Sequence, residues 1–189
     1  MNALGTTGIA ALLIIVAAHE QMGTSVSSKW RNAKAVVDAA GNLHVPDAYR
    51  TTYHLLGSWA VAADQDQGSK ELHVVYASPG TIPAYRKDGR FPDGAVLVKE
   101  VFQAATDEMT TGTVSHAGSL KGWFVMVKDG NGHYGGNDLW GDGWGWSWFD
   151  ADNPSTTTST NYKTDCLGCH VPARASDWVY VDGYPPLKR

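Results

Sequence analysis

Apolar and polar residues alternate through the middle of this chain with a period of two, the signature of half-buried β-strands. Over residues 71–76, Leu72, Val74 and Tyr76 fall on one face while His73 and Val75 fall on the other. Residues 95–102, entered from a Pro92-Asp93-Gly94 turn, form a second such run, and residues 123–129, left through Gly130-Asn131-Gly132, form a third. Residues 140–149 add a fourth strand with Trp144, Trp146 and Trp148 on one face, and the shorter run 59–63 reads as one more. The polar turn DQDQGSK that follows has alternate aspartates but lacks the further acidic ligands of a calcium loop, so it reads as a solvated hairpin. Helix signals are few. Asp47 is placed to cap a helix through Tyr49 and Tyr53, stopped by Gly57. Ser78-Pro79 reads as an N-cap followed by proline at the first position, opening a helix through Tyr85 that ends by Gly89. The pattern predicts an α+β domain, an antiparallel sheet with a few short helices and no internal repeat.

The first 18 residues break this pattern. They carry no charged side chain and include an apolar run over residues 9–18. Ten to fourteen apolar residues suit the core of a signal peptide, whereas a membrane span needs about 20. Val16-Ala17-Ala18 offers small residues for cleavage, leaving a chain that starts near His19. The usual basic residues ahead of the apolar run are missing, so an uncleaved anchor stays open as the alternative. The organisation predicted is a signal peptide over 1–18, a polar leader over 19–40 and one domain over 41–189. Net charge is −4 with 15 basic residues spread along the chain, which points away from nucleic acid and anionic membranes as partners. Eight tryptophans and eight tyrosines supply flat rings suited to a core or to a cofactor pocket.

The two cysteines carry the sharpest chemistry. They stand in Cys166-Leu167-Gly168-Cys169-His170, the attachment signature of a c-type haem. Positions i, i+3 and i+4 share a face of one helical turn, so two thiols and an imidazole can meet one macrocycle from the same side. A thioredoxin-like pair, a small disulfide or half a zinc site are the competing readings. The adjacent histidine and the export signal favour haem, attached outside the cytoplasmic membrane through Cys166 and Cys169 with His170 on iron. The expected location is the periplasm.

A haem motif at the far end of a strand-rich domain is unusual, and the order of the smaller motifs resembles the cytochrome P460 family, whose other branch is the β-sheet cytochromes c′. The matching pieces are Gly41-Asn42-Leu43 with Pro46 and Tyr49-Arg50, then Val75-Tyr76, then the run from Phe91 to Glu100. Val127-Lys128-Asp129, the tryptophan-rich strand, Asp165 to His170, Ser176 to Val179 and Tyr184 to Leu187 follow in the same order. The resemblance implies a sheet-based mono-haem fold with a C-terminal haem-attachment helix. Lys99 falls on the lysine that P460 cytochromes cross-link to the porphyrin; from pattern alone it reads as an edge-strand lysine with its head in water. Phe124 falls where hydroxylamine-oxidising members place a carboxylate, an apolar substitution that resembles the nitric-oxide-binding c′ branch. His73 stands near a basic position of the family and is either a proton carrier or an ordinary sheet histidine. His116 and His133 in glycine-rich loops, Met109 in a polar loop and Met126 beside Phe124 are the weaker candidates for a second axial ligand. The implied activity is oxidation of hydroxylamine, with nitric oxide as a further substrate, a soluble cytochrome c as electron acceptor and a homodimer packed through the sheet. The alternative is a nitric-oxide binder without turnover.

Overall fold

A computed structural model describes residues 31–188. The signal peptide expected over 1–18 and the first part of the expected leader lie outside the described residues. The element order is α1 (Arg31–Lys34), α2 (Tyr49–Thr52), β1 (His54–Ala62), β2 (Ser69–Ala77), α3 (Thr81–Asp88), β3 (Val96–Met109), β4 (Gly112–Lys128), β5 (Trp140–Gly141) and β6 (Trp144–Asp150). The strands form one antiparallel sheet in the order β1-β2-β3-β4-β6-β5. This is the α+β architecture that the alternation predicts.

Each face of the sheet is covered. Val96 and Val98 of β3, Trp123, Val125 and Val127 of β4 and Phe149 of β6 pack under the N-terminal segment, against Val36, Leu43 and Tyr49. The intervening residues, among them Leu97, Met126, Trp144 and Trp146, face the C-terminal segment with Trp178, Val179, Tyr184 and Leu187. Period-two patterning therefore sorts β3, β4 and β6 into two cores, which is why these strands read as nearly continuous apolar runs.

Several local readings are corrected. The Asp47 helix is only Tyr49–Thr52; Ala48, in the left-handed region, precedes it and its carbonyl accepts from Thr51 N and Thr52 N. Gly57 stops no helix. It lies inside β1, where a Cβ would come within 2.6 Å of the Gly183 carbonyl oxygen, so close packing requires the glycine. The helix expected from Ser78-Pro79 starts at Thr81 after Gly80 (φ 83°) and ends at Gly89 (φ 72°) as read. Ser78 Oγ instead accepts from Val96 N at 3.0 Å, tying that turn to β3. Trp140 belongs to a separate two-residue strand, β5, joined to β6 by Asp142-Gly143. The largest miss is length: β3 and β4 run on to meet at Met109 and Gly112, so Met109 and His116 sit in a hairpin and not in loops. Both outer strand faces there are polar, which leaves no alternation to read.

Candidate functional site

The sheet face under the C-terminal segment encloses a cavity of about 680 Å³ with mainly apolar walls. Five strands contribute by alternation: Trp59 and Val61 from β1, His73 and Val75 from β2, Leu97, Lys99 and Val101 from β3, Phe124 and Met126 from β4, Trp146 and Trp148 from β6. The opposite wall is Cys166, Cys169 and His170 with Val179, Tyr180 and Tyr184. All the residues singled out in the sequence for haem or catalysis (His73, Lys99, Phe124, Cys166, Cys169, His170) thus meet in one place, together with Met126. His116, His133 and Met109 are not among the residues lining it. His133 instead bonds Asp129, and His116 bonds Asp107 on the hairpin surface.

The cysteine segment is a π-helical turn, Lys163–Leu167, running into a single α turn, Gly168–His170. Asp165 pins its start, accepting from Thr160 N at 2.7 Å and Asn161 N at 3.1 Å. Those bonds draw the Asp165 carboxyl down to about 2. Both cysteines are unpaired thiols, Cys166 buried and Cys169 exposed. Burial raises the Cys166 thiol to about 11. His170 Nδ1–H donates to the Trp178 carbonyl at 2.6 Å. That bond fixes the tautomer and leaves the Nε2 lone pair for a metal. Burial lowers the His170 pKa, partly offset by the Trp178 bond, which keeps the ring neutral and able to ligate.

Lys99 and Phe124 are register partners on β3 and β4, and Lys99 Nζ lies 4.3 Å from the Phe124 ring centroid. Lys99 is half-buried and lines the cavity. Its pKa falls below the ordinary lysine value, chiefly through burial. The edge-strand reading of Lys99 is overturned, because β2 and β4 flank β3 on both sides. Phe124 also packs on Trp148, ring centroids 4.5 Å apart.

Glu71 was not singled out in the sequence, yet it belongs to this cavity. It stands two residues before His73, so the strand period already put the two on one face. His73 Nε2–H donates to Glu71 Oε2 at 3.1 Å, and Lys121 of β4 holds the other oxygen. Those contacts, the Lys121 bond first, lower the Glu71 pKa, while burial lowers that of His73. At neutral pH the pair is a carboxylate holding a neutral imidazole whose Nδ1 is free to accept in this tautomer.

The donor set and the cavity fit a c-type haem: two thiols three residues apart, a neutral imidazole with a fixed tautomer, and an apolar space within the range of small-molecule and cofactor sites. Fold and site together define a β-sheet cytochrome with one haem-attachment motif. The cytochrome P460 family model matches residues 46–181, and the chain belongs to that family, which carries haem c. No match was found among curated proteins.

Proposed function

We propose that this protein oxidises hydroxylamine, with nitric oxide as a further substrate, and passes the electrons to a soluble cytochrome c. The observation that carries this reading is Lys99, a desolvated amine on the wall facing Cys166, Cys169 and His170. Desolvation favours the neutral amine, the form that can make a covalent bond, and a cross-link is one way to tune a haem through distortion of its ring. Cys166 and Cys169 would hold the haem, His170 Nε2 would bind its iron, and the haem when bound would supply the electron acceptor. His73 takes a substrate proton at Nδ1, and the Glu71 carboxylate stabilises the imidazolium that results, the logic of a carboxylate–histidine pair. Lys121 balances the carboxylate at the cavity rim. The reading also includes export to the periplasm and a homodimer packed through the sheet.

Peptide-level mass spectrometry of the holoprotein, with an optical spectrum, tests the centre of this reading. The peptide holding Lys99 is expected to travel with the haem peptide of Cys166 and Cys169, with a red-shifted reduced Soret band and turnover of hydroxylamine. Haem held by the two cysteines alone, with no turnover, would favour the second reading, a nitric-oxide binder. The observation favouring that reading is the Phe124–Trp148 pair, an apolar wall that welcomes an uncharged diatomic. Proton transfer has its own test. Glu71→Gln keeps shape and removes charge, and is expected to lower hydroxylamine turnover by ~10²-fold while haem content stays constant. Unchanged turnover would remove Glu71 and His73 from the mechanism.

A further inference from the structure

Asp177 and Trp178 are consecutive residues with φ of 60° and 68°. Left-handed backbone is tolerated by aspartate and unfavourable for a residue as bulky as tryptophan. Three separate parts of the fold hold this turn. Lys128 Nζ, at the end of β4, donates to Asp177 Oδ1 at 2.7 Å. Phe91 N donates to Asp177 Oδ2 at 3.0 Å, and Trp144 Nε1 of β6 donates to the Asp177 carbonyl at 3.1 Å. The ion pair is buried, its side chains 12% and 5% exposed. Lys128 Nζ also lies 5.0 Å from the Trp144 ring centroid. Trp178 N closes the turn on Ala173 O at 2.9 Å. What the turn presents is the Trp178 carbonyl, and that carbonyl takes the proton of His170 Nδ1.

We propose that Asp177 and Lys128 form a positioning unit for the His170 imidazole. The buried ion pair keeps residues 177–178 in the left-handed turn, and the turn sets the direction and strength of the hydrogen bond at His170 Nδ1. This rests on the reading of His170 as the iron ligand. Neither side chain reaches the imidazole itself; both act through the Trp178 carbonyl. A firm acceptor at Nδ1 raises the basicity of the ligating nitrogen, and a more electron-rich ligand lowers the reduction potential of the iron.

Resonance Raman spectroscopy of the reduced holoprotein reads the iron–histidine stretch, and potentiometry reads the potential. Asp177→Asn and Lys128→Met are expected to lower the stretching frequency and raise the potential, while Lys128→Arg restores both towards the native values. Phe149→Leu, in the opposite core, is the control; it lowers the melting temperature and leaves both readouts in place. If Asp177→Asn and Lys128→Met lower only the melting temperature, as the control does, the pair is scaffold and the proposal falls. Should Asp177→Asn fail to fold, Lys128→Met decides alone, because methionine keeps the contact with Trp144. A holoprotein whose optical and resonance Raman spectra are unchanged by His170→Ala would overturn His170 as ligand and the positioning role with it, an outcome distinct from loss of the role alone.

Discussion

Lys99→Met holoprotein is expected to carry haem through Cys166 and Cys169 alone, to lose the red shift of the reduced Soret band, and to turn over hydroxylamine on the order of 100-fold more slowly. Methionine matches the length and apolar stem of lysine, so the cavity wall beside Phe124 keeps its shape while the nitrogen disappears. The rate factor is the scale on which groups next to a metal centre alter its activity. The same substitution has an opposite effect on the chain before haem is loaded. There it removes a desolvated amine, and a gain of roughly 1 kcal/mol at neutral pH is expected, small because the cavity still admits water. Its pH dependence follows from the lowered pKa of Lys99. The native chain has the full stability of this group above the free-lysine value, near pH 10.5, and loses it as pH falls towards the lower folded value. The advantage of the variant is therefore largest at neutral pH and closes above about pH 10.5. Denaturant titrations at two pH values check this; a red shift that survives in the variant would end the cross-link reading.

The second large effect lies on the other face of the same strand. Glu100 is 2% exposed and its carboxylate accepts from the Tyr49 hydroxyl and from Arg50. Tyr49 accepts in turn from Trp123 Nε1 at 2.7 Å, so α2 is fastened to the sheet through one buried acid. Arg50→Ala would leave that carboxylate without its cation, and breaking a buried pair costs about 3–5 kcal/mol. Arg50 is itself half exposed, which puts the expected loss near 3 kcal/mol, or about 6–12 °C in melting temperature for a domain of this size. Adding Glu100→Gln to Arg50→Ala should recover part of the loss, because the unpaired charge is gone. A loss below about 0.5 kcal/mol in the single variant would show that water reaches the carboxylate and that the pair is no anchor.

How much of this could be read from the chain differs by element. The strands that build the cavity were legible because each buries both faces or one, so the residue types alternate or run apolar; His73 and Val75 were separated from Leu72, Val74 and Tyr76 on that ground alone. The haem segment was legible because thiol and imidazole spacing is dictated by covalent chemistry. The outer halves of β3 and β4 were not, since a hairpin with two wet faces has no hydrophobic period. Glu71 carried no signal of its own, because a charged residue at the start of an alternating run looks the same whether its face meets solvent or a cavity. The Asp177–Lys128 pair was out of reach for a different reason. Its members are far apart in sequence, and nothing in either neighbourhood signals that the two will meet under Trp144.

Lys99 lies in the third strand, and Cys166 and Cys169 follow the last one. A porphyrin bonded at both places would close a covalent ring running from residue 99 to residue 166. Such a ring restricts the unfolded chain as a long-range disulfide does, by about 4 kcal/mol on loop-closure grounds. The cofactor would then be a staple as well as a redox centre, fastening the final segment to the middle of the sheet in a protein whose two cysteines would both be taken up by the haem, leaving none for a disulfide.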